Sequence, residues 1–310
     1  MSSDEFTYWL NGSFVPASEA VIPINSRGYR LGDGIFDTER TFNGKLFRLK
    51  EHLERLDRSL KYTRMNLGMS LDELGEIAEE VARRNAHLLE KYGDFWVTQT
   101  VSRGNNNDAF VSMIVEPLTF FRFAPYYTKG VPLVIPSGRT ASRQALDPKL
   151  KATSRLNLVL ADLEGKQVDP DSLSLLMDED GNLTEVIYGN LFIVRGGRIY
   201  APSSKSILEG VTRMTTMELA EKINRPVTET NLQPYDLATA DEAFVTTTSY
   251  VVMPVRSMNG QPVGTALPGP VTQEMTQAWR DLVGLDFVAQ MQTYAEKGVQ
   301  SAPTIGIAAR

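Results

Sequence analysis

The sequence predicts an α/β protein of the α+β kind, organised as two domains. Three features predict it. The chain opens on a hairpin signal, Tyr8-Trp9-Leu10 and Ser13-Phe14-Val15 around Asn11-Gly12. Two segments with apolar residues at helical spacing follow, over 50–63 and 71–91. Beyond Ala124-Pro-Tyr-Tyr-Thr-Lys-Gly130 the pattern returns to short apolar runs, turned by Asp180-Gly181 and Gly196-Gly197. With 310 residues the chain has length for two domains and a large core. We expect one domain over 1–123, a connection over 124–130 and a second domain over 131–310.

In chain order, Ser26–Arg40 is Gly-rich, with Gly28, Gly32 and Gly34. The helix over 50–63 sets Leu53, Leu56 and Leu60 on one face. The helix over 71–91 begins at a capping box, Ser70 and Glu73, and stops at Gly93. Its buried row is Leu71, Leu74, Ile77, Ala78, Val81 and Leu88. Strands are expected over 95–102, 111–123 and 131–135. A helix following Lys151 uses Leu156, Val159, Leu160 and Leu163 and ends near Gly165. A helix over 211–223 and a strand over 243–247 complete the pattern, and the tail over 286–310 is expected to be loosely held.

Composition excludes several function classes. The net charge of −6 offers no electrostatic case for nucleic acid or an acidic membrane as partner. No apolar run is long enough for a bilayer span, and Met1-Ser-Ser-Asp-Glu-Phe lacks the pattern of a signal peptide. The chain has no cysteine, so thiolate metal sites and cysteine nucleophiles are excluded, and a cytoplasmic location is expected. With His52 and His87 as the only histidines, a multi-histidine metal site is excluded and none is expected.

The chemistry-bearing residues fall in an order that suits pyridoxal 5'-phosphate. Its aldehyde needs a neutral amine, which a partly desolvated lysine near other cations supplies best. Lys149 and Lys151 alternate and would face one way on an extended segment, so the residues alone leave both open, and each is compatible with a solvated surface. The ring nitrogen needs a carboxylate, and Glu185 stands where a loop enters the strand Leu191-Phe-Ile-Val194, with Asn190 beside it. The phosphate needs donors. Gly210-Val211-Thr212 opens an amphipathic helix whose free N–H groups suit a dianion, and Thr247 and Thr248 stand at a strand end. Arg55 could add charge from the helix over 50–63.

Taken together, Ser26-Arg-Gly-Tyr-Arg-Leu-Gly-Asp-Gly-Ile-Phe-Asp37, His52-Leu-Glu-Arg-Leu56, Lys151, Thr184-Glu185 through Gly189-Asn-Leu-Phe192, Gly210-Val-Thr-Arg213 and Phe244-Val-Thr-Thr-Thr248 through Pro254-Val255 resemble the class IV, fold-type IV, pyridoxal-phosphate aminotransferases. That family includes branched-chain, D-amino-acid and R-selective amine transaminases and the related aminodeoxychorismate lyases. The resemblance runs from about Tyr8 to Trp279. It implies a small N-terminal α/β domain, a larger C-terminal pseudobarrel domain carrying the lysine, and a homodimer. It implies that Lys151 forms the Schiff base, Glu185 pairs with the ring nitrogen, and Arg55, the amides of Val211 and Thr212, and Thr248 hold the phosphate. The activity implied is transfer of an amino group from an amino acid or primary amine to a 2-oxo acid, through pyridoxamine phosphate.

By the same resemblance Phe36, Thr38 and Arg40 line the substrate pocket, with Ser249 and Tyr250 opposite. Arg40 suits a substrate carboxylate or a structural ion pair equally. Arg103-Gly-Asn-Asn-Asn-Asp-Ala-Phe110 departs from the Arg-x-His pattern of D-amino-acid enzymes, and Tyr250 is bulkier than the small residue of branched-chain enzymes. Met253-Pro254 is similar to the R-selective group. Arg155-Leu156 is similar to the lyase branch, which supplies the alternative activity; Asp37 argues against it, since that branch tends to carry threonine there.

Overall fold

The structure, a computed structural model, describes residues 5–104 and 108–298. The chain forms two compact units. Among the described residues the first runs to Arg122 and takes in Leu150–Ser154 and the segment from Gln290 on; the second holds Phe123–Lys149 and Arg155–Ala289.

The first unit is built on a six-stranded antiparallel sheet. Strands β1 (Thr7–Leu10) and β2 (Ser13–Pro16) form the opening hairpin, with Asn11 and Gly12 both at positive φ as a two-residue turn demands. Then come β3 (Gly34–Phe42), β4 (Lys45–Leu46), β5 (Phe95–Arg103) and β6 (Ala109–Pro117), in the order β2-β1-β6-β5-β3-β4. A short helix α1 (Arg27–Leu31) precedes β3. Helices α2 (Leu49–Thr63) and α3 (Leu71–Arg84) bury Leu53, Leu56, Leu60, Leu74, Ala78 and Val81 in one core with Val97, Val101, Met113 and Val115 of the sheet. The capping box forms: the Glu73 amide donates to Ser70 Oγ at 3.2 Å and the Ser70 amide to Glu73 Oε2 at 2.7 Å.

Where the sequence predicts one helix to residue 91, α3 stops at Arg84 and a 3-10 turn and a short helix follow. Asn85 is the reason. It is fully buried, and its side chain exchanges hydrogen bonds with the Thr7 backbone at 2.8 Å each way, so it serves the edge of β1. The strand expected over 111–123 ends at Pro117 for a short helix at Phe120–Phe123.

The second unit contains β7 (Val131–Val134), helix α4 (Leu156–Val168), β8 (Leu173–Met177), β9 (Leu183–Val186), β10 (Gly189–Arg195), β11 (Arg198–Pro202), helix α5 (Val211–Lys222), β12 (Val227–Thr230), β13 (Glu242–Thr247), β14 (Val251–Met258), β15 (Gln261–Pro262) and helix α6 (Pro270–Val283). Its nine strands run β12-β11-β10-β13-β14-β7-β8-β9, with β15 on β14, and β9 pairs again with β10. That last pairing closes β10, β13, β14, β7, β8 and β9 into a ring, so their edges are used up. This is the pseudobarrel. No helix among the described residues is long and apolar enough to cross a membrane.

Two expectations are corrected. The apolar row of α4 does not face the core: Leu156 is 70% exposed and Leu160 58%, with Val159 and Leu163 also outside. The helix buries its small residues, Ala161 and Gly165, because it lies close on β8. A Cβ on Gly165 would fall 2.2 Å from Ser174 Oγ, which itself donates to the Ala161 carbonyl at 2.9 Å. The tail, expected loose from 286, forms helix α7 (Phe287–Glu296) with Phe287 and Met291 buried. In the first unit, Gln290 Nε2 donates to Asp94 Oδ2 at 2.8 Å and Tyr294 stacks on Phe120 at 5.1 Å. The part of that expectation over 299–310 lies outside the described residues.

The start of α6 depends on one buried carboxylate. Glu242, on β13, accepts from the amides of Val271 and Thr272 and the Thr272 hydroxyl at 2.8–3.0 Å. Gly269 makes room, since a Cβ there would lie 2.1 Å from the carboxyl carbon. Replacing Glu242 with Ala strands three buried donors at a helix start and is expected to lower stability by about 3 kcal/mol. Denaturant unfolding of the variant measures it.

Candidate active site

In the first unit the lysine-bearing segment lies along the start of β3. The Phe36 amide donates to the Lys151 carbonyl at 3.0 Å, Ile35 bridges to Ala152, and the Thr153 amide donates to the Gly34 carbonyl at 2.9 Å. Thr153 Oγ1 adds bonds to the carbonyls of Gly32 and Gly34, 3.1 Å each. The glycines are what let the segments approach. Gly32 has φ +62°, and a Cβ there would lie 2.9 Å from Ser154 Cβ; one on Gly34 would lie 3.0 Å from Thr153 Oγ1. Lys151 is thereby half-buried, with its Nζ 4.8 Å from the Phe36 ring centre.

The residues of β3 alternate between two faces. Asp37 is fully buried and meets α2. Its Oδ1 accepts from His52 Nδ1 at 2.7 Å, Arg55 Nη2 at 2.6 Å and the Thr38 amide at 2.8 Å, and its Oδ2 from Arg55 Nε at 2.8 Å. Burial alone would raise the Asp37 carboxyl, but the Arg55 guanidinium and His52 hold it well below the usual range. Burial likewise pushes the His52 imidazole down, against the pull of Asp37. On the other face Phe36 and Thr38 are half-buried, and Thr38 Oγ1 shares a hydrogen bond with Thr98 Oγ1 at 2.9 Å. Arg40 is buried. It donates to the Thr41 carbonyl, lies 3.8 Å from Asp94 Oδ2 and covers the Phe42 ring at 4.1 Å, so its charge is already met by Asp94.

In the second unit the sequence-predicted residues gather around the peptide of Leu208. Its N–H donates to Glu185 Oε2 at 3.2 Å, and its carbonyl accepts from Asn190 Nδ2 at 3.1 Å. Two residues on, Gly210 is the N-cap of α5 and no side chain caps the helix. A Cβ on Gly210 would fall 2.3 Å from Asn190 Oδ1, so a side chain here would displace the Asn190 amide. Val211 is buried and Thr212 half-buried in the first turn. Thr247 Oγ1 donates to the Tyr188 carbonyl at 2.5 Å, and the buried Thr246 Oγ1 has no partner. Thr248 and Ser249 are half-buried in the turn into β14. Tyr250 is buried with its ring against Phe123 and its carbonyl accepting from Tyr127 at 2.5 Å. Lys149 pairs with Glu209 at 3.5 Å and is half exposed. Of the 103–110 stretch, residues 105–107 lie outside the described residues.

The family model for aminotransferase class IV matches residues 34–258, a stretch that contains Lys151, Glu185, Asn190, Gly210 and the other predicted site residues. The chain belongs to the class IV aminotransferases. It is 30% identical over 283 residues to a D-alanine aminotransferase of Staphylococcus aureus, covering 89% of this chain and 97% of that protein. Among solved structures it is similar to the T.th. branched-chain amino acid aminotransferase with pyridoxamine 5'-phosphate, at TM-score 0.83 and 29% identity, covering 90% of this chain and 95% of that one. The same protein complexed with N-(5'-phosphopyridoxyl)-L-glutamate gives TM-score 0.81 and 28% identity over the same shares. These likenesses establish an aminotransferase of fold type IV and do not favour the lyase alternative.

The aminotransferase carries groups that the sequence did not place among the site residues. Asp37 appeared only as a branch marker, and its grip on Arg55 shows in the structure alone. Arg155 donates to the Ile187 carbonyl at 3.0 Å and lies over the Tyr188 ring at 5.3 Å; burial pushes its guanidinium down while Glu185 opposes that. Glu39, two residues along β3 from Asp37, is fully buried, accepts from Gln99 Nε2, and has one oxygen unpartnered. Alternation with Asp37 on one strand was the signal available for it.

Burial, with the nearby charge of Asp37, pushes the Glu39 carboxyl up to about 8 from 4.5. The folded state therefore favours the protonated acid. That preference is fully present below the unfolded value and is lost as pH rises towards about 8. Glu39→Gln removes the titration. The melting temperature of the variant relative to the wild type is expected to climb between pH 5 and pH 8; a constant difference would contradict a neutral Glu39.

Proposed function

We propose that this enzyme transfers the amino group of an amino acid to a 2-oxo acid on pyridoxal 5'-phosphate, with Lys151 as the residue that joins the cofactor and moves the proton. The names of the relatives supply the substrate class, since both D-alanine and branched-chain aminotransferases act on amino acids. The observation that carries the reading is the cradle around Leu208 and Gly210, where a carboxylate, an amide and a helix start without a cap converge on a few residues. The donor set fits the cofactor. The open amides of Val211 and Thr212 and the helix dipole suit a phosphate monoester, as do the hydroxyl of Thr248 and the charge of Arg55. Glu185, which accepts from the Leu208 amide and acts on the charge of Arg155, would face the pyridine nitrogen as its carboxylate partner.

Bound pyridoxal phosphate supplies the electron sink that makes a substrate Cα–H acidic. The chain does the rest. Lys151 Nζ is the amine that would join the cofactor aldehyde and, when a donor amine is bound, would serve as the base that takes and returns the Cα proton. The backbone clip on β3 holds the lysine's main chain still while its side chain exchanges partners. Glu185 would pair with the ring nitrogen and hold a proton there. Phe36 and Thr38, on the half-buried face of β3, would line the substrate pocket; Arg40, paired with Asp94, serves the frame and takes no substrate carboxylate.

The Lys151→Ala variant is expected to lose turnover by a factor of about 10³ or more while still taking up cofactor. Titrating the wild type with L-amino acids, D-amino acids and R-amines without a carboxylate should convert the cofactor to its amine form with amino acids. Activity persisting in Lys151→Ala would sink the assignment, and conversion by R-amines alone would move the substrate class.

The enzyme works, in this reading, as a homodimer. The support is the outward row Leu156, Val159, Leu160 and Leu163 of α4, beside exposed Tyr188, an apolar face that a solitary chain leaves in water. Sedimentation should give a dimer, and Leu160→Glu should shift it towards monomer; a wild-type monomer at micromolar concentration would refute the pairing.

A further inference from the structure

The Asp37 carboxylate organises more donors than an ordinary ion pair. Arg55 grips it side-on through Nε and Nη2, one bond to each oxygen, at 2.8 and 2.6 Å. That fork sets the plane of the guanidinium and turns Nη1 away from Asp37. His52 Nδ1 and the Thr38 amide then hold Oδ1 at 2.7 and 2.8 Å. All three side chains are buried. Every group facing the carboxylate is a donor, so the site has no place for a second N–H. We propose that Asp37 and His52 are positioning residues for phosphate binding: Asp37 orients the Arg55 guanidinium, and His52 orients Asp37. This rests on the reading of Arg55 as a phosphate ligand.

Two effects oppose each other when Asp37 loses its charge. An uncompensated Arg55 would attract a dianion more strongly. An amide at position 37, however, must turn its NH2 against either Arg55 Nε or the set on Oδ1, and both are donors. The guanidinium is pushed out of its plane, and directional bonding to the phosphate is lost. Orientation governs here, because the bonds to Asp37 are short and the group is closed off from water that could re-satisfy it.

The test is a double-mutant cycle on cofactor-free protein in phosphate-free buffer, reading the dissociation constants of pyridoxal 5'-phosphate and of pyridoxal, which lacks the phosphate. Arg55→Ala should weaken the phosphate ester about 100-fold and pyridoxal by less than about twofold. Asp37→Asn should weaken the ester about tenfold with pyridoxal unchanged, and the double variant should bind no worse than Arg55→Ala alone. Tighter or unchanged ester binding by Asp37→Asn, equal losses for both ligands, or losses that multiply in the double variant would overturn the proposal. If Arg55→Ala leaves ester affinity intact, the phosphate role of Arg55 falls first and takes this proposal with it. Should Asp37→Asn fail to fold, His52→Ala keeps the ion pair and removes one brace. It should cost about threefold for the ester alone, and no loss would overturn the role of His52 and the proposal built on it.

Discussion

The backbone pairing between Lys151–Thr153 and the start of β3 is the constraint on which the placement of Lys151 depends. Lys151 is far along the chain from Phe36, yet main-chain hydrogen bonds at 2.9–3.0 Å bind their neighbours residue to residue. Main-chain bonds place a side chain's origin without restricting its rotamers. The Lys151 role proposed above calls for that combination: a still Cα and a mobile Nζ. The approach is close enough that Gly32 and Gly34 have no room for a Cβ without something shifting. The Gly-rich run before β3 therefore serves the lysine segment, and the conformational cost of glycine is accepted there for proximity.

The second unit uses one peptide in a comparable way. Glu185 and Asn190 stand on neighbouring antiparallel strands, paired to each other across β9 and β10, and they hold the N–H and C=O of Leu208 respectively. A strand pair is stiff, so the loop before α5 inherits the register of the barrel ring. The helix start is aimed by the sheet and left uncapped, which keeps its first amides available for an anion. Rigid placement of the first turn and openness of its donors are the two requirements of a phosphate site, and both come from the same few contacts.

Much of this was legible in the chain before any coordinates. Turn dipeptides, the Ser70–Glu73 box and the leucine row of α2 are local signals, and each forms as expected. Hidden from sequence were features set by partners distant along the chain. Periodicity finds the apolar row of α4 but cannot say which way it faces; the small residues Ala161 and Gly165 take the inner side because β8 comes so close. Asn85 breaks a helical pattern because the start of β1 needs its amide. The tail helix is held by Asp94, which also serves Thr41, the amides of Asn43 and Gly44, and Arg40. The family was legible in an ordered set of motifs, while the setting of Asp37 was not, since an aspartate in a strand reads the same whether it is exposed or the centre of four donors.

The contrast between Asp37 and Glu39 shows how finely such a strand can set charge. Both are fully buried, both face the same side of β3, and they are two residues apart. Asp37 meets a guanidinium fork, an imidazole and an amide, and is held ionised. Glu39 meets one neutral amide and feels the charge of Asp37, and is driven to keep its proton. A second anion there would lie in low dielectric beside the first, unpaired, where the mutual repulsion and desolvation both grow. Neutral Glu39 spares the cluster that conflict and leaves Arg55 facing a single carboxylate. The net charge of the buried cluster thus depends on the residue that holds its proton as much as on the ones that carry charge, and the geometry around Arg55 follows from that difference.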